Sequence, residues 1–125
     1  MRAFIVDSVD GVFQRSVQQV ADPVADDSEV LVRVAWSDVN YKDALAATAD
    51  GKVVRSYPLV TGIDVAGTVE ASQHSRIAVG QEVIATGYDL GVARNGGHAE
   101  LVAIPADWVL PLPVGLDVRQ AMRAR

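Results

Sequence analysis

The clearest alternation of apolar and polar positions runs through Glu29-Val30-Leu31-Val32-Arg33-Val34-Ala35-Trp36, with Val30, Val32, Val34 and Trp36 on one face and Leu31, Arg33 and Ala35 on the other. A period of two belongs to an extended chain, so the segment predicts a strand with one buried face, Trp36 included in the core. Weaker strand patterns follow at Ala3–Asp7, Phe13–Val20, Asp64–Glu70, Glu82–Ala85, His98–Ile104 and Trp108–Leu110, where Trp108 also reads as core. Turn dipeptides such as Asp10-Gly11, Asp22-Pro23, Asp50-Gly51 and Gly96-Gly97 separate them. Many short strands between turns predict a mainly β domain with short helices, closed as a small barrel or sandwich.

Two stretches break this pattern as helices. The first, Asn40 to about Ala49, is rich in Ala and Leu, with Asp38 placed to cap its start and Asp50-Gly51 to close it. The second begins near Leu116 with Asp117 as its cap, and the sequence ends at Arg125 soon after.

Composition narrows the chemistry. Half of the 125 residues are apolar, enough for one ordinary core. The formal charge of -5 arises from acidic residues scattered along the chain, which argues against a nucleic-acid partner. No cysteine is present, which excludes disulfides, thiolate metal sites and a cysteine nucleophile. The opening Met1-Arg2-Ala3-Phe4-Ile5-Val6-Asp7 is too short an apolar run for a membrane span or a signal peptide, so the expected location is the cytoplasm.

Three ordered segments carry the functional signal: Trp36-Ser37-Asp38-Val39-Asn40-Tyr41-Lys42-Asp43-Ala44, Pro58-Leu59-Val60-Thr61-Gly62-Ile63-Asp64-Val65-Ala66-Gly67-Thr68-Val69, and Gly96-Gly97-His98-Ala99-Glu100. Together they resemble the catalytic domain of medium-chain dehydrogenases/reductases. Within that superfamily they are most similar to the zinc-free, quinone-oxidoreductase-like branch, in its acrylyl-CoA reductase group. Thr61 departs from that group's pattern, which often has Pro or Gly there. The resemblance spans Met1 to about Met122 and implies a GroES-like, partly open β-barrel over residues 1–122.

The resemblance also implies the chemistry. Zinc-dependent relatives hold their metal with a Cys after the central strand and a Gly-His-Glu motif; here those places read Asn40-Tyr41-Lys42-Asp43 and Gly62-Ile63-Asp64, and Ile63 cannot ligate a metal. No zinc and no other metal ligand set is expected. The implied reaction is hydride transfer from NADPH to an activated carbon–carbon double bond, such as that of an acryloyl-CoA-like thioester, or to a quinone. Without a metal, the developing oxyanion needs hydrogen-bond donors. Those on offer are Asn40, Tyr41 and Lys42 at the start of the first helix, where unpaired backbone N–H groups add positive potential. Tyr41 is assigned to the cofactor as well, and helical spacing sets Tyr41, Leu45 and Thr48 with Asn40 and Ala44 apart from Lys42 and Asp43.

Each residue has a plainer reading beside this one. Asn40 fits a helix cap as well as an active-site wall. Tyr41 fits a half-buried core aromatic. Lys42 and Asp43 fit a solvated or neighbouring ion pair, and Asp43 is assigned a structural role. Arg55 lies in a loop where it could take a CoA phosphate or the 2′-phosphate of NADPH, or be a solvated loop arginine. Gly62 and Gly67 serve backbone geometry, Asp64 bonds nearby backbone, Gly96 and Gly97 turn into the strand beginning at His98, and His98 reads as a turn or surface residue.

The Gly-rich strand–helix turn that binds a dinucleotide pyrophosphate has no counterpart in the sequence. The resemblance implies that residues 117–125 start the helix leading into a nucleotide-binding domain that is not in this chain. The expectation is a catalytic half that binds NADPH poorly and is inactive alone. A naturally shortened product or a free-standing binding module stays open, as does self-association through the uncovered surface.

Overall fold

The computed structural model describes residues 1–124. Its strands are β1 (Arg2–Val9), β2 (Val12–Gln19), β3 (Glu29–Trp36), β4 (Leu59–Val60), β5 (Asp64–Ser72), β6 (Glu82–Thr86), β7 (Leu101–Pro105) and β8 (Leu110–Pro111). Helices α1 (Tyr41–Ala46) and α2 (Val118–Ala124) and a 3-10 turn at Ala106–Trp108 complete the described elements. The strands form a three-stranded sheet, β2-β1-β4, and a five-stranded sheet, β7-β3-β5-β6-β8, which do not close into a barrel. This is a mainly β, partly open architecture of the kind that the resemblance implies.

Alternation along β3 and β5 builds the main core. Val30, Val32, Val65, Val69, Val83, Val102 and Ile104 point into one cluster from four strands of the larger sheet, and such aliphatic burial is the main stabilising term. A smaller cluster of Ala3, Ile5 and Val60 sits under the three-stranded sheet. The sheets meet at a seam where Ala3 pairs with Ala99 and Arg2 N–H donates to the Glu100 carboxylate at 2.6 Å. That bond, with the Arg2 guanidinium nearby, holds the Glu100 carboxyl below the usual carboxylate range.

Several expectations need correction. Trp36 is not core: it is 44% exposed, with the Arg119 guanidinium 5.2 Å over its ring. The reason is register. β3 pairs with β7 only as far as Arg33, and register irregularities against β5 at Leu31/Val32 and Val34/Trp36 take Trp36, still paired with Ala66, off the face of Val30 and Val32. Trp108 lies in the 3-10 turn rather than a strand, half-buried against the core and stacked on Tyr88 at 4.9 Å. The strand expected from His98 begins only at Leu101, because residues 96–98 are bound to another segment.

α1 is shorter than its Ala-rich sequence suggests and is capped by Asn40, not Asp38; the Asp38 carboxylate instead accepts the Val39 N–H at 2.8 Å. Asp117 accepts the Gln120 N–H at 2.7 Å and donates its own N–H to Gln120 Oε1 at 3.0 Å, the reciprocal pattern of a helix start. Arg125, part of the expected onward helix, lies outside the described residues.

Candidate active site

The segment after β3 leaves the sheet as Ser37-Asp38-Val39-Asn40 and enters α1. Its anchors are two buried carboxylates, Asp43 and Asp64, 4% and 1% exposed. Asp64 opens β5, and its carboxylate accepts the Asp38 N–H at 2.8 Å and the Asn40 amide N–H at 2.9 Å. Asp43, one helical turn into α1, accepts the Asn40 backbone N–H at 2.8 Å and the Ile63 N–H at 3.2 Å. The Asn40 amide also reaches Asp43 at 3.3 Å. With a carboxylate oxygen on each side, the amide NH₂ must face the two acids. Ser37 donates its hydroxyl to the Asp64 carbonyl at 2.7 Å and completes the tie.

Three sequence readings change here. Asp43 is not a solvated partner of Lys42 but a buried acceptor for two backbone N–H groups, and its carboxylate answers the positive helix end that was expected to face a ligand. The Asn40 amide donates inward, so the donor expected for a substrate oxyanion is engaged within the protein. Tyr41 is not a half-buried core aromatic, being 79% exposed beside this anchored turn. Lys42 is exposed next to it. Arg55 is not brought to this cluster: its N–H donates to the Val92 carbonyl at 3.1 Å and its guanidinium pairs with Asp89 at 3.4 Å.

The glycines form a second knot against the first. Gly62 has φ +105, and a Cβ there would lie 2.6 Å from the His98 nitrogen and 2.7 Å from the Gly97 nitrogen. A Cβ on Gly96 would meet the Gly62 carbonyl at 2.0 Å, and one on Gly97 the Asp64 carbonyl at 2.3 Å. Residues 96–98 are thus a strap laid along residues 60–62 rather than a hairpin turn, with Gly96 N–H donating to Val60 at 2.9 Å and Gly97 N–H to Gly62 at 3.0 Å. Gly67 sits inside β5 where a Cβ would strike the Arg33 carbonyl of β3 at 2.1 Å.

His98, read from sequence as a turn or surface residue, is held on both ring nitrogens. Nδ1 lies 2.8 Å from Thr61 Oγ1 and Nε2 lies 2.9 Å from the Asp38 carbonyl. Nothing in the sequence marks the Thr61–His98 or Asp38–His98 contacts, because the partners are far apart along the chain. Beside α1 a pocket of about 340 Å³ is lined by Phe4, Val39, Ala44, Ala47, Thr61 and His98. Among the described residues no group of three or more His, Asp or Glu side chains converges as a metal site.

The profile of the alcohol dehydrogenase GroES-like domain matches residues 26–114. The chain is 43% identical over 122 residues to the probable acrylyl-CoA reductase AcuI of Escherichia coli, covering 98% of this chain and 38% of that protein. It is 55% identical over 93 residues to the putative quinone oxidoreductase YhfP of Bacillus subtilis, covering 74% and 28%. The yhdH oxidoreductase of Salmonella enterica, solved in complex with NADP, superimposes with a TM-score of 0.91 at 45% identity over 98% of this chain and 38% of that one. The chain therefore spans between a quarter and two fifths of the length of these relatives. It belongs to the alcohol dehydrogenase GroES-like family of medium-chain dehydrogenases/reductases, in the branch of the acrylyl-CoA and quinone reductases, and corresponds to their N-terminal part.

Proposed function

We propose that these residues form the catalytic-domain portion of a zinc-independent, NADPH-dependent reductase of an activated carbon–carbon double bond, such as acrylyl-CoA, or of a quinone. The observation that carries this is the Asn40–Tyr41 turn, locked from below by Asp43 and Asp64 and ending in an exposed tyrosine. A preorganised turn with an outward hydroxyl suits an oxyanion that develops on a bound substrate.

A dinucleotide pyrophosphate sits at a helix N-terminus within a parallel strand–helix–strand unit. All pairings between the described strands are antiparallel, so these residues alone do not fit that group. We place its site in a further domain of the parent enzyme, reached through α2. NADPH bound there would supply the hydride. This chain supplies the Tyr41 hydroxyl as the donor facing the reacting centre, Lys42 as a neighbouring cation, and Asn40 as the wedge that sets the Tyr41 backbone. Arg55, on a separate loop, is a candidate contact for a substrate or cofactor phosphate. No helix among the described residues is long and apolar enough to cross a membrane, and a reductase drawing on the NADPH pool suits the cytoplasm. Alone, the chain leaves Trp36, Val39 and Tyr41 exposed, a surface that favours self-association.

The test is twofold. Titrating the 125-residue chain with NADPH should show no binding in the micromolar range; oxidation of NADPH by the chain alone with acrylyl-CoA would overturn the half-enzyme reading. Fusing the remaining part of the Escherichia coli acrylyl-CoA reductase after Met122 should give acrylyl-CoA-dependent NADPH oxidation. Tyr41→Phe and Asn40→Ala should each lower its turnover, and unchanged kinetics would remove their assigned roles.

A further inference from the structure

We propose that His98 is a positioning residue, which fixes the Asp38–Asn40 turn through its Nε2–H and so sets the geometry of Asn40 and Tyr41. Its importance for chemistry rests on the function proposed above; its geometry does not.

Four segments converge on this one residue. Along the backbone, Phe4 N–H of β1 donates to the His98 carbonyl at 2.8 Å, His98 N–H donates to the Thr61 carbonyl at 2.9 Å, and Thr61 N–H donates to the Phe4 carbonyl at 3.3 Å. This closed ring ties the 96–98 strap, the three-stranded sheet and the residues before β5. The side chain extends the ring to a fourth segment, since Nε2 bonds the Asp38 carbonyl. Asp38 N–H is bound to Asp64, so both backbone polar groups of Asp38, in the two peptide units that flank its Cα, are held, one by β5 and one by His98.

The tautomer follows from the partners. A backbone carbonyl only accepts, so Nε2 must carry the hydrogen in that bond. In the neutral ring Nδ1 is then an acceptor and takes the Thr61 hydroxyl hydrogen. Thr61 is 1% exposed, so its hydroxyl has every reason to keep that partner. The position therefore needs a side chain that donates at the far end and hydrogen-bonds a hydroxyl at the near one, which a phenylalanine of similar size cannot do.

Three variants separate this role from packing. His98→Phe retains ring volume and loses both bonds. His98→Gln keeps a donor near the Nε2 place for the Asp38 carbonyl, and His98→Asn reaches only Thr61. In the 125-residue chain, amide exchange at Asp38 and Asn40 should rise about three- to tenfold in His98→Phe and His98→Asn, the loss expected for one net hydrogen bond. It should stay near the original in His98→Gln. Amides of Val32 and Val69 in the core strands serve as the internal reference. Long-range ¹⁵N–¹H spectra should show His98 as the Nε2–H tautomer, with His74→Gln used to assign the two rings. An Nδ1–H tautomer, or equal exchange at Asp38 and Val32 in all three variants, overturns the proposal.

In the fused enzyme His98→Phe should lower kcat several-fold with little change in KM for NADPH, and His98→Gln should recover most of it. Equal kcat in the parent fusion and His98→Phe overturns the link to catalysis. A parent fusion without activity refutes the functional reading, while the exchange and tautomer data still decide the geometry.

Discussion

Replacing Gly62 by Ala is the sharpest test of the knot beneath the candidate site. At φ +105 the backbone is in a region that costs an L-residue about 1–2 kcal/mol. The new methyl would also stand 2.6 Å from the His98 nitrogen and 2.7 Å from the Gly97 nitrogen. Both amides are hydrogen-bonded back to residues 61 and 62, so the strap cannot move away without breaking those bonds. Overpacking of this kind adds roughly 1–3 kcal/mol, for a total of about 3 kcal/mol. On a domain whose whole stability is of order 5–15 kcal/mol, that lowers Tm by about 10 °C. Gly11→Ala is the control: it has φ +77 but nothing within 4 Å of its Cβ, so only the backbone cost of about 1 kcal/mol applies. The assay is urea denaturation of both variants, with m-values compared to confirm that the unfolded reference is the same. If Gly62→Ala and Gly11→Ala are destabilised equally, the close approach of the strap to Gly62 is wrong.

Asp43→Ala should cost about 2–4 kcal/mol in denaturant unfolding, because the Asn40 and Ile63 N–H groups lose their buried acceptor; Asp43→Asn, which keeps one acceptor oxygen, should cost less, and equal losses would argue against the two-bond role. Glu100 has a folded-state pKa below its ordinary value, owing first to the Arg2 N–H. Its contribution is therefore complete above the ordinary carboxylate range and lost as pH falls through the lowered folded value. Glu100→Gln should flatten that acid part of the stability curve, and an unchanged curve would exclude the seam contact as its source. Arg119→Ala should destabilise the fold by about 0.5–1 kcal/mol and shift Trp36 fluorescence to the red; emission identical to the parent chain would show that α2 does not cover this ring.

The sheet elements and the candidate motifs were legible because their signals are local. Alternation at Val30 and Val32 directly reports which side of β3 is buried, and turn dipeptides report where strands must stop. The same rule failed at Trp36, where a register irregularity against β5 redirects the strand end. Periodicity along one strand carries no information about a bulge set by its neighbour. The helix signal overran the C-terminal end of α1 for a related reason: Ala-rich propensity favours continuation, but Thr48 N–H turns back to the Leu45 carbonyl and Gly51 lies against that same carbonyl, so the helix ends at Ala46.

By itself, then, the sequence determined the mainly β class, the order of the elements other than β4 and the 3-10 turn, the absence of cysteine chemistry, a non-ligating isoleucine at position 63, and the family. The tertiary structure alone decided what the polar residues do. It turned Asp43 and the Asn40 amide inward and Tyr41 outward, made Gly62, Gly96 and Gly97 one close-packed contact, and gave His98 two partners. Hydrophobic burial repeats along the chain and leaves a period to read. A single buried hydrogen bond between residues tens of positions apart, such as Thr61 with His98, has no period and exists only once the strands have brought its ends together.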